Sequence, residues 1–181
     1  MRARWEGLHA ALVRSVSTLK ADRQFRAAQE KEAALARFEG PTGLLAYLTS
    51  REGSLDEKDA IYAALIRGVQ AREPWAEVGR AMLWCGLWPA LDGIYRRVLR
   101  HFRDDPEELV GGIALAFDGL VGRLDLSRVR RVAGSLAWST ERDVMTAPIG
   151  GSPIKIAMLV DPDGNALELM ELPTTLTHLP H

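Results

Sequence analysis

Leu91, Ile94, Tyr95, Val98, Leu99 and Phe102 stand three and four residues apart, the spacing that lines one face of a helix and no face of a strand. The same period recurs through the first 145 residues. Trp5, Leu8, Leu12, Ser15, Val16 and Leu19 predict a first helix, and Phe25, Leu35 and Phe38 a second within a charged stretch. Leu44, Leu45, Tyr47 and Leu48 predict a short one between Gly43 and Gly53. Ser54 with Glu57 offers a capping box ahead of Tyr62, Leu65, Ile66 and Val69. Pro74 suits a first helical position ahead of Trp75, Val78, Met82 and Cys85, and Gly86 with Pro89 kinks or splits that run. Asp105, Pro106 and Glu108 start a helix carrying Leu109, Ile113, Phe117 and Leu120. Val129, Val132, Ala133 and Leu136 imply a last one ending near Asp143.

The period changes after Thr146. Ile154, Ile156, Met158 and Val160 alternate with Lys155, Ala157 and Leu159, and Asp161-Pro162-Asp163-Gly164-Asn165 is turn chemistry, since proline presets φ and glycine takes the left-handed position. The expected fold is therefore mainly α, a bundle of seven to eight helices with a short C-terminal β-hairpin. Residues 1–73 form an N-terminal helical region, joined in one domain with 74–145. A linker follows over 146–153, the hairpin over 154–172 and a mobile tail over 173–181. A lone two-stranded hairpin is marginal in water, so it needs the helices or another chain to pack on.

Composition narrows the function. The 181 residues hold 23 basic and 24 acidic side chains, a net charge of -1, so a nucleic-acid site must be local rather than global. The single cysteine, Cys85, excludes an internal disulfide, and Met1 to Ala10 has no apolar stretch of signal-peptide length. A cytoplasmic location without a membrane span is expected. Oligomeric state is not legible.

Arg128, Arg131, Ser135, Trp138 and Arg142 are three and four residues apart and would share one helical face. Guanidinium groups hold phosphates while an indole stacks on a base, so such a face suits single-stranded nucleic acid; the same residues also fit a solvated face with Trp138 packed on a neighbour. Asp104, Asp105, Glu107 and Glu108 precede it, and four carboxylates at a helix start are favourable to the helix dipole.

These residues carry a resemblance. Residues 94–143, especially Asp105-Pro106-Glu107-Glu108-Leu109-Val110, Ile113, Phe117 and the run from Val129 to Thr140, resemble the second conserved region of bacterial RNA polymerase sigma factors, the extracytoplasmic-function type in particular. The resemblance implies a helix that docks on core RNA polymerase, with Glu108, Leu109, Val110 and Phe117 as its partner-binding residues. It also implies a helix that captures the unpaired promoter strand, with Arg128, Arg131, Trp138 and Arg142 binding DNA. Gly111 and Gly112 stand where the docking motif carries a polar pair, and no helix-turn-helix follows.

A second resemblance covers residues 154–172. Leu159-Val160-Asp161-Pro162-Asp163-Gly164-Asn165-Ala166-Leu167-Glu168-Leu169 is similar to the closing hairpin of the vicinal oxygen chelate superfamily, in whose metal enzymes the residue matching Glu168 is a metal ligand. The helical sequence upstream cannot supply the repeated βαβββ modules of that fold, so a structural hairpin is the expectation. No catalytic residue set is found and no cofactor is expected. A transcription-related protein without enzymatic activity is preferred, enzymatic activity being left undecided. The alternatives are a helical protein-interaction or scaffold module that does not bind nucleic acid, and a metal protein built on Glu168.

Overall fold

The computed structural model describes residues 2–102 and 106–146, together with the backbone of 155–160 and 166–171. Within residues 2–102 and 106–146 there are eight α-helices among the described residues: α1 (Arg2–Val16), α2 (Leu19–Lys31), α3 (Pro41–Thr49), α4 (Leu55–Gln70), α5 (Ala76–Gly86), α6 (Trp88–Val98), α7 (Pro106–Arg123) and α8 (Val132–Thr146). No described helix is long and apolar enough to cross a membrane. The turn and the side chains of the hairpin expected over 154–172 lie outside the described residues.

The first helix stops earlier than its apolar stripe suggests. Thr18 takes an extended conformation and its hydroxyl accepts the Ala21 N–H at 3.1 Å, so a new helix starts there. Leu19, expected in the stripe of α1, is turned out to solvent at 78% exposure. Beyond α2 the chain tightens into a 3₁₀ turn, Ala33–Leu35, that buries Leu35 completely. The Gln29 amide holds this corner by donating to the Leu35 and Phe38 carbonyls at 3.1 and 2.7 Å.

At α4 the expected capping box is complete: Ser54 Oγ accepts the Glu57 N–H at 3.1 Å, and the Glu57 carboxylate accepts the Ser54 N–H at 3.4 Å. The turn before it passes through Gly53 at φ +77°, where a Cβ would also strike the Tyr47 ring. Ile61, Tyr62, Ala64, Leu65, Ile66, Gly68 and Val69 are all buried, so α4 is enclosed over most of its surface. From Val78 to Gly86, α5 is almost wholly buried as well. These two helices are the centre of the body. α1, α2 and α3 pack on α5, α7 and α8 pack on α4, and α6 lies against α7 and α8. One continuous apolar core runs from Trp5 to Val144, through both the N-terminal region and residues 74–145.

α4 ends without glycine. The Arg72 N–H reaches the Val69 carbonyl at 3.2 Å and the Glu73 N–H reaches the Gly68 carbonyl at 3.0 Å, with Arg72 itself in the left-handed region at φ 53°. Pro74, expected at a first helical position, instead lies in the turn two residues before Ala76. The reason is Trp75, whose indole turns back to lie against Gly68. A Cβ at Gly68 would come within 1.8 Å of its ring. Gly86 and Pro89 split the following run, Gly86 ending α5 and Pro89 falling in the first turn of α6, where a missing N–H costs no helical bond.

In α6 the seam read from sequence is buried at Leu91, Ile94, Tyr95 and Val98, while Leu99 and Phe102 follow the helix in a 3₁₀ turn and its exit. Leu109, Ile113, Phe117 and Leu120 form the inner face of α7. The cap expected at Asp105 lies outside the described residues. Along α7, a Cβ at Gly111 would meet nothing within 4 Å, so no packing demand accounts for glycine there. We expect Gly111→Ala to raise stability by roughly 0.5–1 kcal/mol through helix propensity alone. A denaturation midpoint that is unchanged or lowered would count against this.

Candidate nucleic-acid face

The expected basic face is divided by the start of α8. Asp125 takes the Ser127 hydroxyl at 2.6 Å and the Ser127 N–H at 3.0 Å on one carboxylate oxygen, a local turn that competes with helix. Those bonds hold the Asp125 carboxyl below its usual range. The Arg128 N–H closes the turn on the Asp125 carbonyl at 3.1 Å. Arg128 therefore belongs to this turn and Arg131 to the residue just before α8, so the two do not lie on one helix with Trp138 and Arg142 as expected. The Arg128 side chain is 85% exposed and its guanidinium is 3.2 Å from Asp125.

Arg131 marks the foot of α8, its carbonyl accepting the Ser135 N–H at 2.9 Å. It carries no capping side chain, and α4 supplies one instead: Asp59 Oδ1 accepts the Ala133 N–H at 3.1 Å. The Arg131 guanidinium donates to Asp56 at 2.5 Å and lies 3.4 Å from the other Asp59 oxygen. Those bonds, Asp56 first, hold its pKa further above the usual arginine value. One cation of the four is thus engaged by carboxylates from a helix 72 residues upstream.

Further along α8, Trp138 is 51% exposed, and the Arg142 guanidinium sits 5.0 Å above the centre of its ring. Arg142 also reaches Asp143 at 2.9 Å, but Asp143 has a second cation, Arg123, at 2.6 Å. Arg142 can therefore leave Asp143 without orphaning the carboxylate. On the opposite face Val132, Leu136, Thr140 and Val144 are buried, the Thr140 hydroxyl donating to the Leu136 carbonyl at 2.7 Å.

The residues expected to meet RNA polymerase divide by face. Glu108 is exposed and Val110 half-buried, while Leu109 and Phe117 are fully buried. Phe117 meets Trp84 edge-on, with ring centres 4.8 Å apart, so Leu109 and Phe117 are core residues and offer no outer surface. Glu107, beside them, pairs with Arg4 of α1. Asp104, Asp105, Glu168, His178 and His181 lie outside the described residues or have side chains that do. Among the described residues no three His, Cys, Asp or Glu side chains are grouped to hold a metal. Cys85 is buried, and that burial pushes its thiol up to about 11, out of the reactive range.

Three of the chain's five tryptophans build contacts that helical period does not reveal. Trp5 stacks on Trp88 at 4.3 Å and on Tyr95 at 4.9 Å, and His9 stacks on the same Trp88 at 4.3 Å. The Trp5 indole N–H donates to Asp92 at 3.1 Å. Burial lowers the His9 pKa, an effect the charge of Asp92 partly offsets. Nearby, the Trp84 N–H donates to Asp118 at 3.1 Å beside a trough of about 550 Å³ between α1, α5 and α7. Leu8, Leu12, Ala81 and Ala114 line it, with Arg80 and Glu77 at its rim. Trp and carboxylate residues distant in sequence give no periodic signal of such pairing. Comparison of the chain with protein-family models, with curated proteins and with solved structures finds no match in any of the three.

Proposed function

We propose that the chain is a sigma-factor-like helical protein that contacts single-stranded promoter DNA through α8, and RNA polymerase core through the exposed side of α7. The reading is carried by one observation, the exposed Trp138 indole with the Arg142 guanidinium above it. A planar ring at the surface beside a cation offers a base a stacking platform and its phosphate a counter-charge, and stacking of this kind is worth about 1–3 kcal/mol per base. Arg128, mostly exposed in the preceding turn, supplies a second phosphate contact. Its pair with Asp125, like that of Arg142 with Asp143, is a solvent-screened surface ion pair, weak enough for a phosphate to displace. On the polymerase side only Glu108 and Val110 remain as contacts, Leu109 and Phe117 serving the core beneath them.

The test is fluorescence anisotropy with a single-stranded promoter-like oligonucleotide across a salt series, alongside capture by core polymerase. Trp138→Ala is expected to weaken binding roughly ten-fold. Arg142→Gln is expected to flatten the dependence of log K on log salt by about 0.7. No binding at low salt, together with no capture by core polymerase, would end the reading.

The trough beside Trp84 favours a second reading, a helical protein-interaction or scaffold module that takes up an apolar segment of another protein. The C-terminal hairpin belongs to either reading as a structural appendage. In it Lys155 would stand opposite Glu171 and Val160 opposite Ala166, an antiparallel register.

A further inference from the structure

We infer that the acidic start of α4 is a built-in competitor for nucleic acid, keeping Arg131 from a backbone phosphate for as long as Asp56 holds it. The inference rests on the single-strand reading of α8 and adds a regulation of that same surface. Arg131 is the residue immediately before α8, its carbonyl accepting the Ser135 N–H, so its backbone lies about 10 Å along the axis from Trp138. The long Arg131 side chain can span much of that separation toward the phosphates of a strand stacked on Trp138. In the structure this place is taken by two carboxylates from elsewhere in the chain: Asp56 at 2.5 Å and Asp59 at 3.4 Å from the same guanidinium nitrogen.

The two carboxylates are not equivalent. Asp59 is mostly covered and its other oxygen caps the Ala133 N–H at 3.1 Å, so it stays in place whether or not Arg131 does. Asp56 is 86% exposed at its side chain, and among the described residues its carboxylate bonds to Arg131 alone. Glu57, the other acid of the first turn, faces away, bonded to Tyr47 at 2.5 Å and 3.3 Å from Arg37. Arg131 can thus swing from Asp56 to a phosphate while α8 keeps its cap and the capping box of α4 is untouched. A carboxylate pair around a guanidinium imitates the two oxygens of a phosphate, so the exchange swaps like for like.

The experiment measures binding of the full chain to a fluorescent single-stranded oligonucleotide over a salt series. Asp56→Asn is expected to bind roughly five-fold more tightly at low salt, the equivalent of releasing one surface ion pair. Its log–log salt slope should steepen by about 0.7, the signature of one added phosphate contact. Arg131→Gln alone should match the parent slope, and Asp56→Asn with Arg131→Gln should return to it. Parent-like affinity and slope for Asp56→Asn would overturn the inference while leaving the single-strand reading intact. A gain that Arg131→Gln does not reverse would also overturn it, reducing the effect to net charge. If neither the parent nor Asp56→Asn binds at low salt, both fall together.

Discussion

Gly68→Ala is expected to destabilise the protein by roughly 3 kcal/mol, toward the upper end for overpacking, and to lower Tm by about 10 °C. On an exposed helix the same change would stabilise by up to about 1 kcal/mol, so its sign here is diagnostic. The added Cβ would lie 1.8 to 2.3 Å from three carbons of the buried Trp75 ring, and a Cβ at Gly79 would already press the same indole from α5 at 3.2 Å. Trapped between two helices, the ring has no free rotamer to retreat into. Its N–H has no hydrogen-bond partner among the described residues, so packing alone places it. Trp75→Leu should relieve the clash, making the double variant less unstable than the two single changes summed. Urea denaturation of the four proteins checks this, and a Gly68→Ala midpoint at or above the parent's would refute it.

Phe117→Ala should cost about 3–5 kcal/mol, the range for emptying a buried aromatic site. Leu115→Ala, two residues away on the same helix, should stay within about 0.5 kcal/mol, because Leu115 is 79% exposed. The contrast separates two roles that the sequence alone leaves merged. If Phe117 were a docking residue, its loss would spare folding and abolish capture by core polymerase. Buried beneath Trp84 at 4.8 Å, it should instead lower thermal stability whether or not polymerase is present. Near-parent stability for Phe117→Ala would place the ring outside the core.

Helical character was legible wherever packing follows local period. Tyr62, Leu65, Ile66 and Val69, and after them Leu91, Ile94, Tyr95 and Val98, are buried as their spacing implies. The Ser54 and Glu57 box was legible too, because both halves of that bond lie within four residues. Places where a local bond defeats period were harder to read. Thr18 restarts the helix before Leu19, and Asp125 with Ser127 stops Arg128 from joining α8. Both carry a signal in retrospect, a short polar side chain placed to bond a nearby N–H. The engagement of Arg131 carries none, since Asp56 lies 75 residues away and chain order says nothing of that meeting. Exposure of Trp138 was equally hidden, because spacing assigns a face and only the neighbours decide what covers it.

The cap that Asp59 provides for α8 has a consequence for the order in which the chain organises. A helix that relies for one of its first-turn N–H groups on a carboxylate 74 residues back cannot draw its full starting stability from its own sequence. On the ribosome, Asp59 and the rest of α4 emerge first and are ready when Ala133 arrives, so synthesis delivers the parts in a workable sequence. Refolding from denaturant has no such schedule and must close that long loop by diffusion. The last helix is thus a latecomer by construction, and the surface it bears becomes complete only once the middle of the chain has taken shape.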